Sequence, residues 1–410
     1  NLMDVDGDGM ADLYRMEMGN HVYRKGTGSG FSDAKYTVSG AVGTDLESTR
    51  LMDLDGDARP ELVTIVNDTW RWSKLQPESP GSLTFKWVSQ GEWPGTATVP
   101  LSGPDVVFAD INGDGRTDIL QASSDGLLVR FNGKTGLGPV QRKPAIDPYN
   151  VDVVPGNSYV RFEDLNGDGL VDVVWLTNDW MKTWLGRGDG TFAPLDRYDY
   201  PWGTGAFSDK EVFFADLDRD GLLDLIRITI GYVTWFPGLP GGGFDANFRM
   251  LNRPTDEAAD CVVSVADANG NGSRDIIWSA PTGMWILDLA GSGTAGMIES
   301  IDNGLGMTMK VGYSTSALLA VADEAAGKPW TNKLPVVVPM PVSTVTTFSD
   351  GSTPSREVTF GVRDGVWDGD ERRFAGFLVG GRTVASGTAR DLLHEETRFL
   401  AGLGEDRVLR

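Results

Sequence analysis

One nine-residue pattern, repeated six times, constrains the fold of this chain more than anything else in it. In the copy Asp164-Leu165-Asn166-Gly167-Asp168-Gly169-Leu170-Val171-Asp172, acid or amide side chains stand at positions 1, 3, 5 and 9, and a glycine at position 6. Side chains 1, 3 and 5 of a tight loop can point inward at one ion. Position 7 can add a backbone carbonyl, and position 9 closes the shell with a carboxylate. A hard cation such as Ca²⁺ takes six to eight oxygens, and this spacing supplies most of them from one short segment. The glycine lets the chain turn sharply at positive φ.

The copies run from Asp4 to Asp12, Asp53 to Glu61, Asp110 to Asp118, Asp164 to Asp172, Asp216 to Asp224, and Asp267 to Asp275. Their starts are 49, 57, 54, 52 and 51 residues apart, a phase that chance matches in an acidic chain do not keep. The candidate ligands in the first loop are Asp4, Asp6, Asp8, Met10 and Asp12. In the second they are Asp53, Asp55, Asp57, Arg59 and Glu61, and in the third Asp110, Asn112, Asp114, Arg116 and Asp118. The fourth offers Asp164, Asn166, Asp168, Leu170 and Asp172, and the fifth Asp216, Asp218, Asp220, Leu222 and Asp224. The sixth offers Asp267, Asn269, Asn271, Ser273 and Asp275. Met10, Arg59, Arg116, Leu170, Leu222 and Ser273 enter through the main-chain carbonyl of position 7. Two loops depart from the pattern. Ala58 replaces the position-6 glycine and Glu61 the closing Asp of the second, and Asn271 removes a charge from the sixth. These two are expected to hold an ion least well.

Short apolar runs flank each loop, as in Val212-Phe213-Phe214 before and Asp224-Leu225-Ile226-Arg227-Ile228 after. They are rich in β-branched and aromatic residues and bounded by Gly and Asn, so they read as strands. A further strand pair follows, such as Trp180 to Trp184 and then a glycine turn to Phe192. An insertion around Gln76 to Gly91 breaks the phase in the second copy. Four strands in about fifty residues is the period of a propeller blade. A four-stranded sheet cannot bury both faces alone, but a ring of six can, each packing on the next. The spacing therefore predicts an all-β chain: a six-bladed β-propeller over residues 1–300, then a small β-rich segment over 301–410. EF-hands would need flanking helices and a Glu at position 12, dockerin-like pairs would be helical and closer together, and nonapeptide repeats would be contiguous.

The loops hold twenty carboxylates at ligand positions, so six Ca²⁺ would remove about half of a formal net charge of −22. That charge argues against nucleic acid as a partner, since phosphate binding needs a basic face. A single cysteine, Cys261, excludes an intrachain disulfide. It lies in an apolar run and reads as a small core residue. No stretch is long and apolar enough for a membrane span, so no direct membrane insertion is expected. The abrupt start on Asn1-Leu2-Met3-Asp4 and the end on Leu409-Arg410 suggest a piece of a longer protein.

The inventory for catalysis is thin. His21 and His394 are the two histidines, and neither has a partner constellation. His21 reads as a surface or packing residue. Gly133-Lys134-Thr135 lacks the upstream glycine of a phosphate loop. Ser314-Thr315-Ser316 has no following acid pair and reads as the continuation of an apolar strand, and Arg187-Gly188-Asp189 reads as a hairpin turn. No enzyme is expected.

The loop repeat resembles the FG-GAP/VCBS repeat of integrin-type propellers. The segment Asn303 to Tyr313, with Trp330, Leu334 and Pro335 and the run Asp364 to Phe377, resembles the middle region of the toxin-complex component B family, which SpvB-type virulence proteins share. The resemblance implies a secreted bacterial protein, a non-enzymatic, Ca²⁺-stabilised propeller scaffold. It would dock to a pore-forming component A, enclose a toxic enzyme with an Rhs-type component C, and gate its translocation. The rival is a secreted adhesin or lectin-like propeller that binds glycans or a host surface through exposed tryptophans such as Trp70, Trp72, Trp87 and Trp93.

Overall fold

A computed structural model of the chain describes residues 1–17, 20–40, 48–79, 81–97, 99–103, 105–195, 197–200, 211–229, 231–255, 261–289, 291, 297–369, 372–386 and 392–400. Asp370, Glu371, Leu409 and Arg410 lie outside them. The described chain is all-β apart from one helix. It divides into six successive antiparallel units and a long meander.

Each unit opens with a short strand, passes through an acidic loop, and enters a second strand whose first residue is the closing acid. These second strands are Asp12–Glu17, Glu61–Val66, Asp118–Ser123, Asp172–Leu176, Asp224–Ile228 and Asp275–Ala280. Their apolar residues are buried on both faces; Val173, Val174, Ile276 and Ile277 are fully covered. That is why these runs read as continuous apolar stretches rather than as an alternation. A hairpin then leads to the third strand, with Val173 paired to Trp184 and Leu225 to Phe236. Among the described residues the sixth unit has three strands, and the fourth has five.

Units 1 and 2 depart from the expectation of separate sheets. Val38 and Ser39 of Tyr36–Ser39 pair in parallel with Phe85 and Lys86 of Phe85–Glu92, fusing the two units into one eight-stranded sheet. The insertion seen in the sequence is the cause. It lengthens the hairpin Thr69–Pro77 with Phe85–Glu92, which reaches across to the edge of unit 1.

Six apolar clusters lie between successive units. Tyr14 and Tyr23 meet Leu62 and Trp87; Met52 and Trp70 meet Ile119; Leu120 and Val129 meet Val173 and Trp184. Leu165 and Val174 then meet Leu225 and Phe236, and Leu217 and Ile226 meet Ile276 and Trp278. In the sixth cluster Ala266, Ala268 and Ile277 of unit 6 pack with Leu2 and Ala11 of unit 1.

From Ser300 the pattern changes to a six-stranded meander, Ser300–Asp302, Met307–Thr315, Pro339–Phe348, Arg356–Asp368, Arg373–Ser386 and Leu392–Arg398, each strand antiparallel to the next. The strand expected to run on through Ser316 instead stops at Thr315. Ser316–Ala325 is an α-helix, with the Thr315 side chain capping Leu318 N at 3.3 Å. A run of Ala and Leu behind a Ser-Thr-Ser triplet is a helix start, and the cap outweighs the β-propensity of the strand before it.

Candidate functional site

The backbone of the six loops is nearly the same throughout. Position 6 is at positive φ in all of them: 90° at Gly9, 68° at Ala58, 87° at Gly115, 83° at Gly169, 87° at Gly221 and 87° at Gly272. Ala58 thus holds a conformation that a Cβ disfavours. Position 4 is also left-handed, with φ of 71° at Gly167 and 63° at Arg219, a requirement the sequence reading missed.

The first acid of each loop is wrapped by the turn it begins. Asp4 Oδ1 accepts from Gly7 N at 2.7 Å and Asp8 N at 3.0 Å, and its Oδ2 from Gly9 N at 2.9 Å. Two of these three bonds, always including the one from position 6, recur at each of Asp53, Asp110, Asp164, Asp216 and Asp267. The closing acid is a staple. One oxygen accepts from the position-2 amide, as Asp12 does from Val5 N at 2.8 Å and Glu61 from Leu54 N at 2.8 Å. In four of the loops the other accepts from an amide fourteen residues on, at or just past the end of the third strand. Gly26 N reaches Asp12 at 2.7 Å, Asn132 N reaches Asp118 at 2.7 Å, Gly186 N reaches Asp172 at 2.9 Å, and Gly238 N reaches Asp224 at 2.8 Å. Each carboxylate oxygen keeps a second lone pair for a cation.

Asp12, Asp118, Asp172, Asp224 and Asp275 are fully buried. Burial pushes Asp118 and Asp275 up to about 7 and Asp172 and Asp224 up to about 6, and the amide bonds pull back only part of the shift. Glu61 rises to about 8 for the same reason. A nearby positive charge favours the ionised form of such acids.

The loops differ in what supplies that charge. Carboxylate oxygens of Asp4, Asp6 and Asp8, of Asp53, Asp55 and Asp57, and of Asp216, Asp218 and Asp224 come within 4.8 Å of one another. In the fifth loop Asp218 Oδ1 is buried with no hydrogen-bond partner, and in the sixth so is Asp275 Oδ1. A divalent ion fits such orphaned oxygens. Asp288 joins the sixth loop, accepting from Asn269 Nδ2 at 2.8 Å and Asn271 Nδ2 at 3.3 Å. In the third and fourth loops the position-3 amide turns its NH₂ toward position 5, Asn112 to Asp114 at 3.3 Å and Asn166 to Asp168 at 3.1 Å. In the first and second loops a lysine enters. Lys25 Nζ bonds Asp6 and, at 2.6 Å, Asp8; Lys74 Nζ lies 2.5 Å from Asp55 and 2.7 Å from Asp57. Lys25, Lys74 and Asp288 escaped the sequence reading. A signal exists, because each stands thirteen residues after the closing acid of its loop.

The loops also form one face for the meander. Thr315 Oγ1 donates to Gly270 O at 2.5 Å, Lys333 Nζ to Asp6 O at 3.0 Å, and Arg59 Nη2 to Lys333 O at 2.9 Å. Arg372 Nη1 donates to Asp110 Oδ2 and Gly113 O, both at 3.2 Å. A cleft of about 1320 Å³ lies between this segment and loops 1, 2 and 6.

The remaining candidates settle simply. His21 is fully buried and hydrogen-bonded to the Tyr14 hydroxyl, so it packs and does not lie at the surface. Exposed His394 pairs with Thr383 Oγ1 at 3.0 Å. Cys261 is half-buried against the cluster between units 5 and 6. Arg187, Gly188 and Asp189 form a turn closed by Arg187 N to Thr191 O at 3.1 Å, and Gly133 lies in a two-residue hairpin strand. The four tryptophans of the rival reading do not form a glycan platform. Trp70, Trp87 and Trp93 are buried, with indole N–H groups bonded to Val99 O, the Tyr14 hydroxyl and Asn132 Oδ1, and Trp72 packs edge-on against Trp93.

Residues 243–394 match the family described as the insecticide toxin TcdB middle/N-terminal region, and residues 164–227 match the FG-GAP-like repeat. The resemblance read from the sequence thus holds on both counts. No curated protein matches the chain. Among solved structures, the chain is similar to one from the Photorhabdus luminescens Tc holotoxin pore, with a TM-score of 0.78 and 22% identity over 95% of this chain and 18% of that one. It is also similar to a TcdB2-TccC3 crystal structure, at a TM-score of 0.53 and 21% identity over 93% of this chain and 22% of that one. A TcdB2-TccC3-Cdc42 structure gives 0.53 and 21% over 95% and 20%. These likenesses are of fold, and the chain spans about a fifth of the length of the solved chains it matches.

Proposed function

From the premise that the chain carries the TcdB-type middle region and FG-GAP-like repeats, we propose that it is a scaffold of a bacterial toxin complex, a six-bladed propeller stabilised by Ca²⁺. It acts outside the producing cell. Its work is mechanical rather than catalytic: it docks the toxin-enclosing shell, of Rhs type, on a pore-forming component and gates the passage of the cargo. The observation that carries this reading is the cyclic order of the six apolar clusters, in which unit 6 packs on unit 1. Ala11 N adds a hydrogen bond to Asp267 O at 2.9 Å across the same seam. The meander strapped across the loop face supports a gating role, since whatever moves it also moves the mouth of the ring.

Calcium in this reading is structural. In the fifth loop Asp216, Asp218 and Asp224 would hold it, and in the sixth Asp267, Asp275 and Asp288. The bound ion supplies the positive charge that the buried carboxylates lack, and its binding energy adds to folding stability by linkage. The test is a thermal melt with metal analysis, in Ca²⁺ and again after EGTA, followed by capture with a pore-forming component. A large fall in melting temperature with bound Ca²⁺ and specific capture is the expected result. A chain that binds no metal, melts alike in both buffers and captures nothing would sink the reading.

A further inference from the structure

The residue thirteen positions beyond the closing acid lies on the third strand of its unit or one residue past the end of that strand. In chain order it is Lys25, Lys74, Phe131, Leu185, Pro237 and Asp288. The two lysines belong to two of the three loops whose positions 1, 3, 5 and 9 are all carboxylates and whose acids crowd within 4.8 Å; the third, loop 5, has Pro237 at that place. Lys74 Nζ stands 2.5 Å from Asp55 Oδ2, 2.7 Å from Asp57 Oδ2 and 3.8 Å from Glu61 Oε1, which are positions 3, 5 and 9. Lys25 Nζ bonds Asp6 Oδ2 and lies 2.6 Å from Asp8 Oδ2, again positions 3 and 5. Both lysine side chains are largely covered, at 23% and 30% exposure, so the ammonium groups are held in the loops rather than waving past them.

A Ca²⁺ ion in such a loop would sit at roughly 2.3–2.6 Å from these same oxygens. The ammonium nitrogen already occupies nearly that point, with three N–H donors for three carboxylates. The two cations cannot share it. We propose that Lys25 and Lys74 are built-in counter-ions that replace the metal in loops 1 and 2, which therefore fold without Ca²⁺ and bind none. The residue at the same place in units 3, 4 and 5 has no charge, and in unit 6 it adds a carboxylate, so the divalent sites lie among loops 3 to 6. The inference rests on the reading that loops of this type take Ca²⁺.

The test uses the full chain, with Lys25→Met, Lys74→Met and the double variant, which keep the length of the stem and remove the charge. Ca²⁺ is counted by metal analysis after dialysis and by calorimetric titration. Wild type is expected to bind no more than four equivalents. Each single variant gains one, and the double variant gains two. Variant melting temperatures fall in EGTA and recover in Ca²⁺. Six equivalents in wild type, or no gain in a folded double variant, overturns the proposal. Should a variant not fold in either buffer, wild type decides by itself. The expected result is that Lys25 and Lys74 resist amine acetylation equally with and without Ca²⁺, and Ca²⁺-induced labelling of either lysine overturns the assignment. Failure of the broader calcium reading is separable, since it shows as a wild type that binds no ion at all while the variants still report on the lysines.

Discussion

At the scale of the residue, the second loop carries a strain that the others avoid. Ala58 sits at φ 68° where all five other units place glycine at 83–90°. Left-handed backbone costs a non-glycine residue about 1–2 kcal/mol. Ala58→Gly is therefore expected to stabilise the chain by about 1 kcal/mol in urea unfolding. Gly169→Ala should cost a similar amount, since a Cβ there meets nothing within 4 Å. Gly167→Ala should cost more, because its Cβ would lie 2.6 Å from Gly221 O of the next loop. Equal losses at the two glycines would refute the argument from close approach. The closing acids give a second expectation. Asp118, Asp172, Asp224 and Asp275 have folded values of about 6 to 7, above the roughly 3.9 of an unfolded Asp. The folded chain binds these protons more tightly, so without Ca²⁺ their contribution to stability is full below about pH 4 and is lost as pH rises through about 7. Melts in EGTA between pH 5 and 8 should show a steady fall, and added Ca²⁺ should raise the melting temperature more at pH 8 than at pH 5. A rise with pH in EGTA would contradict it. Position 6 was legible in the sequence because glycine there has one obvious cause. Lys25 and Lys74 were not, because a residue thirteen places downstream reaches the loop only after the hairpin has formed.

At the scale of the element, the strands were legible and the helix was not. Apolar runs such as Asp224–Ile228 have lengths and compositions that only a buried strand explains. Ser316–Ala325 follows a strand without a break, and the choice between continuing and turning rests on Thr315. That side chain accepts from Leu318 N and donates to Gly270 O of the sixth loop. Thr315→Ala is expected to cost about 1–2 kcal/mol, the usual loss for an N-cap. Thr315→Ser, which keeps the hydroxyl, should recover most of it. If both variants melt alike below wild type, the methyl group rather than the cap carries the effect.

At the scale of the whole molecule, the period announced repeated units, but not that two of them merge. The parallel pairing of Val38 with Phe85 depends on where a long hairpin lands, which local pattern does not encode. The seam between units 6 and 1 is of another kind. Ala317 of the helix is packed between them: a Cβ at Gly9 would lie 2.6 Å from its methyl group, and one at Gly270 3.1 Å. Ala317→Leu should therefore force both loops apart, at about 1–3 kcal/mol for overpacking. Limited proteolysis should then open cleavage near residues 1–17 and 301–325 together. Cleavage confined to one of the two would show that the helix does not clasp the seam.

That seam also orders the events of synthesis. Ala11 packs on and bonds with a unit whose partner residues come more than 250 residues later, and Ala317 follows later still. At about 5–20 residues per second, a ribosome needs at least ten seconds to supply those partners. Units 2 to 5 can each pack on the unit just made. The apolar edge formed by Leu2 and Ala11 has no such neighbour and must wait in the open. In a cell, this is the surface a chaperone would have to shield.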